Sequence, residues 1–227
     1  MVRLLILGGS GRTAAAAETL THAGADVQVY WSRSARAVDW SGAATVRAGL
    51  SEANGIVDAT HAFDVELRTV ARTIAPDLPM TRYARPLWAA QHGDNWQFAS
   101  TLGEAVGLLP ENARVFAATG RESGEILGHH DGPVFLRQLR RHDNPALGQL
   151  QYVFGAGPFS LEAEVALFEE LAIDVLLARN VGGAGSYPKI AAARKLGLPV
   201  VMVQPDLTAI NHTAPDEAAL RAWAMGL

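Results

Sequence analysis

Two glycine-rich turns, one near each end of the chain, hold the residues best suited to chemistry. The first is Gly9-Ser10-Gly11-Arg12-Thr13-Ala14, directly after the apolar run Leu4–Leu7. It fits G-x-G-x-x-G/A. Gly9 permits a tight turn, Gly11 lets backbone approach a pyrophosphate, and Ala14 lets helix and strand pack closely. A helix opening there offers free N–H groups and partial positive charge to an anion. The second turn is Asn180-Val181-Gly182-Gly183-Ala184-Gly185-Ser186, followed by Tyr187, Pro188 and Lys189. Its amides could form a second anion-binding nest, with Lys189 adding a point charge. A purely structural role is the alternative for each turn: a tight strand–helix connection, or a loop that lets elements pack.

The residues after the second apolar run bear on the choice of cofactor. An NAD site carries Asp or Glu there, to accept bonds from the ribose hydroxyls. This chain has Trp31-Ser32-Arg33-Ser34, with Arg36 close by. A guanidinium cannot accept a hydrogen bond but can pair with a 2′-phosphate. The expectation is NADPH, with Arg33 on that phosphate; a solvated loop arginine is the alternative.

Other polar residues stand where buried strands should end. "VDATHAFD" sets Asp58, Thr60 and His61 at one such end, the edge that carries ligands in open α/β sheets. Thr60 is a candidate cofactor contact, and His61 can donate a proton near neutral pH. Asp58 reads as a structural acceptor that fixes the turn. "TRYARPLW" interleaves Arg82 and Arg85 with Tyr83 and Trp88. That mixture suits a flat apolar ligand rimmed by carboxylates, or else a surface loop with one packed Trp. "ATGRESGEIL" places Gly120 and Arg121 before a helix start, a third candidate anion site, with Ser123 as a candidate cap. The adjacent His129 and His130 lack matching ligands at metal-binding spacing, so no metal is expected.

These residues need elements to position them. The 227 residues are 49% hydrophobic, enough for one large domain or two small ones. Net charge is -4 with no basic tail, which argues against nucleic acid. There is no cysteine, so disulfides, iron–sulfur clusters and thiolate catalysis are excluded. The 17 Arg against 2 Lys fit G/C-heavy codons, or sites for carboxylate and phosphate. No apolar run is long enough for a signal segment or membrane span, so a cytoplasmic protein without membrane contact is expected.

Strands are predicted at Leu4–Leu7, Val27–Trp31, Gly55–Ala59, Pro79–Tyr83, Arg114–Ala118, Val134–Leu139, Gln149–Phe154, Asp174–Ala178 and Pro199–Val203. Helices are predicted to start near Arg12, Asp64, Leu102, Ser123, Ser160, Tyr187 and Asp216. Ser160, followed by Glu162 and Glu164, suits a capped helix start. "DVLLA" and "PVVMV" are apolar throughout, as parallel strands covered on both faces require. The alternation gives an α/β fold of two Rossmann-like parallel-sheet lobes, whose two glycine turns could face one another across a cleft. With a break near "LPENAR", the expected lobes are residues 1–110 and 111–227.

The ordered set "LLILGGSGR", "IVDATHAF", "RYARPLW", "ATGRE" and the long stretch from Gly155 to Val203 resembles the precorrin-6A reductase family of cobalamin (vitamin B12) biosynthesis. The Gly155–Val203 stretch, with its Gly-Pro-Phe turn, Asn-x-Gly-Gly and closing "AARKLGLPVVMV", is the most specific part. Three places depart from the family pattern: no acidic residue follows the first glycines, Ala62 stands where proline is usual, and Val181 where serine is usual.

The resemblance implies two Rossmann-like domains with the pyridine-nucleotide cofactor in the cleft between them. It implies hydride transfer from NADPH to one C=C bond of a ring-contracted tetrapyrrole, precorrin-6A, an apolar ring carrying many acetate and propionate carboxylates, with a proton completing the reduction to precorrin-6B. A related branch acts on the cobalt-containing analogue. The implied cofactor contacts are Gly9, Ser10, Gly11, Arg12, Arg33, Thr60, Gly120, Arg121, Asn180, Gly182, Gly183, Gly185, Ser186 and Lys189. The implied substrate contacts are His61, Arg82, Arg85 and Trp88, with His61 also the candidate catalytic acid. Other cobalamin-pathway enzymes are candidate partners. The rivals are a nucleotide-sugar glycosyltransferase, usually a much longer chain, and a non-catalytic NADP sensor.

Overall fold

The computed structural model describes residues 1–32, 49–143, 145–208 and 210–227. The chain forms two compact units, Met1–Pro86 with Asp206–Leu227, and Leu87–Pro205.

The first unit starts with β1 (Arg3–Gly8), α1 (Thr13–His22), β2 (Asp26–Trp31), β3 (Gly55–Ala59), α2 (Glu66–Ile74) and β4 (Met80–Tyr83). The chain then builds the second unit: β5 (Trp96–Ala99), α3 (Leu102–Gly107), β6 (Val115–Ala118), a 3-10 turn (Arg121–Ser123), α4 (Gly124–Leu127), β7 (Val134–Gln138), β8 (Leu150–Phe154), α5 (Leu161–Glu170), β9 (Val175–Arg179), α6 (Pro188–Leu196) and β10 (Val200–Val203). It returns to the first unit as β11 (Thr213–Ala214) and α7 (Glu217–Met225).

Every strand pair in both sheets is parallel. The first sheet has the order β11-β4-β3-β1-β2 and the second β5-β10-β9-β6-β7-β8. The α/β expectation of two parallel-sheet lobes holds. Chain direction across the first sheet reverses between β1 and β3, and across the second between β6 and β9. Ligands in open α/β sheets sit beyond the carboxyl ends of strands at such switch points.

The expected break near residue 110 is corrected. Trp96–Ala99 adds to the second sheet by pairing with β10, Val200 opposite Trp96. That carries the boundary back to Pro86. At the other end, Thr213 pairs with Arg82 and Ala214 with Tyr83, so the last residues rejoin the first sheet. Leu220 and Ala224 of α7 then bury against Leu4, Ile6 and Val57. Pairings this distant leave no local signal.

Burial supplies the driving force and the caps set the ends. Leu4 to Leu7 are at most 2% exposed, because β1 is central and covered on both faces. In the second unit Phe116 and Phe168 meet with ring centroids 4.7 Å apart. Ser160 caps α5 as expected, its Oγ accepting from the Ala163 amide at 3.1 Å. α6 starts on Pro188 and ends at Gly197, whose φ of 68° favours glycine.

Candidate functional site

The first glycine turn lies at the first switch point. Ser10 ties it to the end of β3: its amide and its hydroxyl both donate to the Ala59 carbonyl, at 3.1 and 2.8 Å. The Thr13 hydroxyl accepts from the Gly9 amide and can donate to the Ser10 carbonyl. Among the described residues, the amides of Gly11, Ala14 and Ala15 find no acceptor outside α1. The helix has no side-chain cap and no acid in its first turn. A Cβ on Gly9 would lie 2.9 Å from Ser32 Oγ and 3.3 Å from Thr60 Cα, while one on Gly11 would meet nothing within 4 Å. Gly9 is therefore required by the protein's own packing, and Gly11 leaves open space in front of free amides. This arrangement fits a phosphate group. Arg12 turns away from it: its guanidinium lies 3.9 Å from the Tyr83 ring centroid and donates to the Pro215 carbonyl. It reads as a positioning residue.

Beneath the same edge lies a buried charge cluster. Asp58 Oδ2 receives Arg68 Nε and Arg82 Nη1, each at 2.7 Å. Asp58 Oδ1 accepts from the Thr60 amide and hydroxyl at 3.0 and 2.6 Å. Burial pushes the Asp58 carboxyl up, but the two guanidiniums and the Thr60 bonds together hold it below its ordinary value. Desolvation lowers Arg82, against the pull of Asp58. Asp58 is the structural acceptor expected of it. Arg82, expected to meet substrate, is instead 4% exposed and committed to Asp58. Thr60 is likewise turned inward. His61 stands exposed just beyond β3, its Nδ1 accepting from the Phe63 amide, and Arg85 is exposed past β4. Arg33 lies outside the described residues.

The second unit places an open cavity of about 610 Å³ at its own switch edge. Gly120 and Arg121 line it from the end of β6; Ser186, Pro188 and Lys189 line it from the start of α6. Four predicted contacts, Gly120, Arg121, Ser186 and Lys189, thus come together. Gly120 has φ of 95°, a conformation that favours glycine. Ser123 caps no helix; its hydroxyl donates to the Gly120 carbonyl at 2.6 Å and lies 2.7 Å from that of Thr119. Lys189 donates to the Ser186 carbonyl and lies 5.1 Å from the Trp88 ring centroid. Burial brings its pKa down to about 8, against the attraction of Glu164 and with added repulsion from Arg137.

Two expected contacts serve the core instead. Asn180 is fully buried and holds the backbone of Trp88, accepting from its amide at 2.9 Å and donating to its carbonyl at 2.8 Å. Trp88 is 9% exposed, and its Nε1 donates to the Gly183 carbonyl at 2.9 Å. Gly182 and Gly183, with φ of 65° and 74°, shape this loop. Gly185 has open space around its Cβ position.

Sequence reasoning missed much of the cavity. Arg137 pairs with Glu164 at 3.0 Å and lies over the Phe159 ring at 4.3 Å. Gln138, Arg140 and Arg141 follow from β7 onward. The signal was available: "RQLRR" places three arginines at the carboxyl end of a strand.

Known proteins match this chain along nearly its whole length. A model of the precorrin-6x reductase family (CbiJ/CobK) matches residues 3–224. A precorrin-6A reductase of Rhodococcus erythropolis is 32% identical, with 98% of this chain and 97% of that protein covered. One of Mycobacterium tuberculosis is 30% identical, with 100% and 99% covered. A solved structure titled CobK precorrin-6A reductase superposes with a TM-score of 0.83 at 27% identity, covering 100% of this chain and 97% of that one.

Proposed function

The chain belongs to the precorrin-6x reductase family, and on that premise we propose that it reduces precorrin-6A with NADPH as the hydride source. The observation that carries the cofactor half is the first glycine turn. Its free amides at Gly11, Ala14 and Ala15 would hold the pyrophosphate, with Gly11 allowing the approach. The choice of NADPH over NADH rests on sequence: Arg33 follows β2 where an NAD site carries an acid. The substrate half rests on relatives named precorrin-6A reductase that align over nearly the whole chain.

When bound, NADPH would supply a hydride to one C=C bond of the macrocycle. The chain's part is to bind, orient and exclude water. The Asp58–Arg68–Arg82 cluster contributes rigidity beneath the turn, since its carboxylate is buried and holds both guanidiniums. His61, exposed beyond β3, can give the completing proton. The ring itself spreads developing charge, so the chain needs no strong acid. Replacing His61 with Ala should therefore cost a few-fold in kcat; a loss of about 10²–10⁴-fold would make it a true general acid.

The test is NADPH oxidation by the purified protein with precorrin-6A, beside NADH and a no-substrate control. The expected product is two hydrogens heavier. Turnover with NADH alone would overturn the 2′-phosphate reading and leave the reductase. Binding of NADPH with no turnover of the metal-free or the cobalt-containing ring would leave only a nucleotide sensor. An Arg33→Ala variant should weaken NADPH and leave NADH little changed.

A further inference from the structure

The cavity of the second unit has a composition that the cofactor turn does not explain. Its cations come from three separate segments: Arg121 after β6, Arg137 on β7 with Arg140 and Arg141 just past its end, and Lys189 in the first turn of α6. Glu164 is the carboxylate among the lining residues, and it is already paired with Arg137. Among the described residues no carboxylate pairs with Arg121, Arg140, Arg141 or Lys189. Phe116, Phe159 and Leu139 give the same cavity apolar wall. Leu139 is 65% exposed on that wall.

A second observation points to a ligand. Gln138 is 7% exposed and lines the cavity, yet its Nε2 has no acceptor. The Nε of Arg137 is buried without one as well. A buried donor left unmade is costly, so native chains rarely keep two side by side. Among the described residues neither finds an acceptor, so both have a donor to offer a ligand oxygen.

We propose that this cavity is the polycarboxylate site, in which Gln138 and Arg137 donate to acid side chains of the macrocycle while Arg121, Arg140, Arg141 and Lys189 surround the others. It rests on the substrate reading above. Dispersed cations on several segments match negative charges dispersed around one ligand. A diphosphate concentrates its charge, and compact phosphates are typically taken by adjacent backbone amides. Those amides are at the first glycine turn. The orphan donors here are side chains of β7 instead. Leu139 and Phe159 would lie against the ring between the acids.

The test separates this site from the catalytic reading by using an unreactive probe. Uroporphyrin, a planar tetrapyrrole octacarboxylate, is titrated into wild type, Gln138→Leu and the double variant Arg140→Ala/Arg141→Ala. NADPH is titrated into the same proteins. Uroporphyrin affinity should fall about tenfold in Gln138→Leu and more in the double variant, a factor of ten being one lost interaction of ordinary size. NADPH affinity should hold within about twofold in both, the cofactor being bound elsewhere. With precorrin-6A, KM should rise in parallel while kcat changes little. If NADPH affinity falls and uroporphyrin binding stays, the cavity belongs to the nucleotide and the proposal is overturned. If neither changes, it is overturned too. Failure of wild type to turn over precorrin-6A would instead count against the reductase reading, since the porphyrin titration needs no turnover. The double variant changes exposed arginines, so it should fold even where Gln138→Leu does not.

Discussion

Arg82 Nη1 lies 2.7 Å from Asp58 Oδ2, and both side chains are buried. Arg68 shares that oxygen. One carboxylate therefore serves two cations in the interior of one unit. Asp58→Asn would leave both guanidiniums buried without a counter-charge, and should cost about 3–5 kcal/mol in urea unfolding. Arg82→Ala should show its main effect in the same assay. A substrate contact would raise KM in a normally stable protein, and that outcome would contradict the assignment. The pH dependence has a definite sign. The folded Asp58 pKa is below its ordinary value of 3.8, so its contribution is present above that value and is lost as pH falls through the folded one. Asp58→Asn should flatten the acid limb of the stability profile.

The two glycines of the first turn should respond differently to alanine. Gly11→Ala adds a Cβ that touches nothing in the protein, so Tm should hold or rise slightly. NADPH affinity should fall, because the methyl enters the space before the free amides. Gly9→Ala puts a Cβ 2.9 Å from Ser32 Oγ and 3.3 Å from Thr60 Cα, and should cost about 1–3 kcal/mol. Thermal unfolding and an NADPH fluorescence titration check both. Full affinity in Gly11→Ala would remove the turn from the cofactor site.

Asn180 and Trp88 should behave as core residues. Asn180→Leu leaves the Trp88 amide and carbonyl without their partner, at about 1–3 kcal/mol for each orphaned group. Trp88→Phe keeps the ring's bulk but loses the bond to the Gly183 carbonyl. Its stability should fall by about 1 kcal/mol, while KM for the macrocycle stays near wild type. Denaturant curves and steady-state kinetics decide between this and a stacking role for Trp88.

Lys189 sets a pH dependence at the second cavity. Its pKa of about 8 follows from burial, opposed by Glu164 on α5 and reinforced by Arg137 on β7. Raising pH through that range removes its charge, so affinity for anionic porphyrin should fall. A bound anion favours the ammonium, which moves the loss to higher pH than in the free protein. Lys189→Met should bind more weakly at pH 7 and show a flatter profile. Between about 8 and the ordinary 10.5 the unfolded state binds the extra proton. Wild-type stability should therefore gain on Lys189→Met across that interval.

The local elements were legible because each carries a local cause. The apolar runs of β1, β9 and β10 mark strands buried on both faces. Ser160 marks the start of α5 because its hydroxyl can accept from a free amide of the first turn. The edge strand Trp96–Ala99 escaped because it is short and half exposed, with no alternation to betray it. Thr213–Ala214 escaped because two residues hold no pattern at all.

The site divides along the same line. Sequence alone determined the family, the parallel α/β class and the backbone features of the first turn, since glycine at Gly9 and Gly11 is a property of the residue itself. It also identified Asp58 as a fixing acceptor. Tertiary structure decided which arginines face inward and which face a cavity. Arg82 and Arg140 carry the same side chain, but Arg82 finds Asp58 across the neighbouring strand β3, while Arg140 follows a strand end and pairs with no carboxylate among the described residues. It also decided the return of the chain to the first unit, through β11 beside β4, and the pairing of β5 with β10 inside the second. Charge pairing and strand pairing both depend on what distant segments bring into reach, and one residue's type does not state its neighbours.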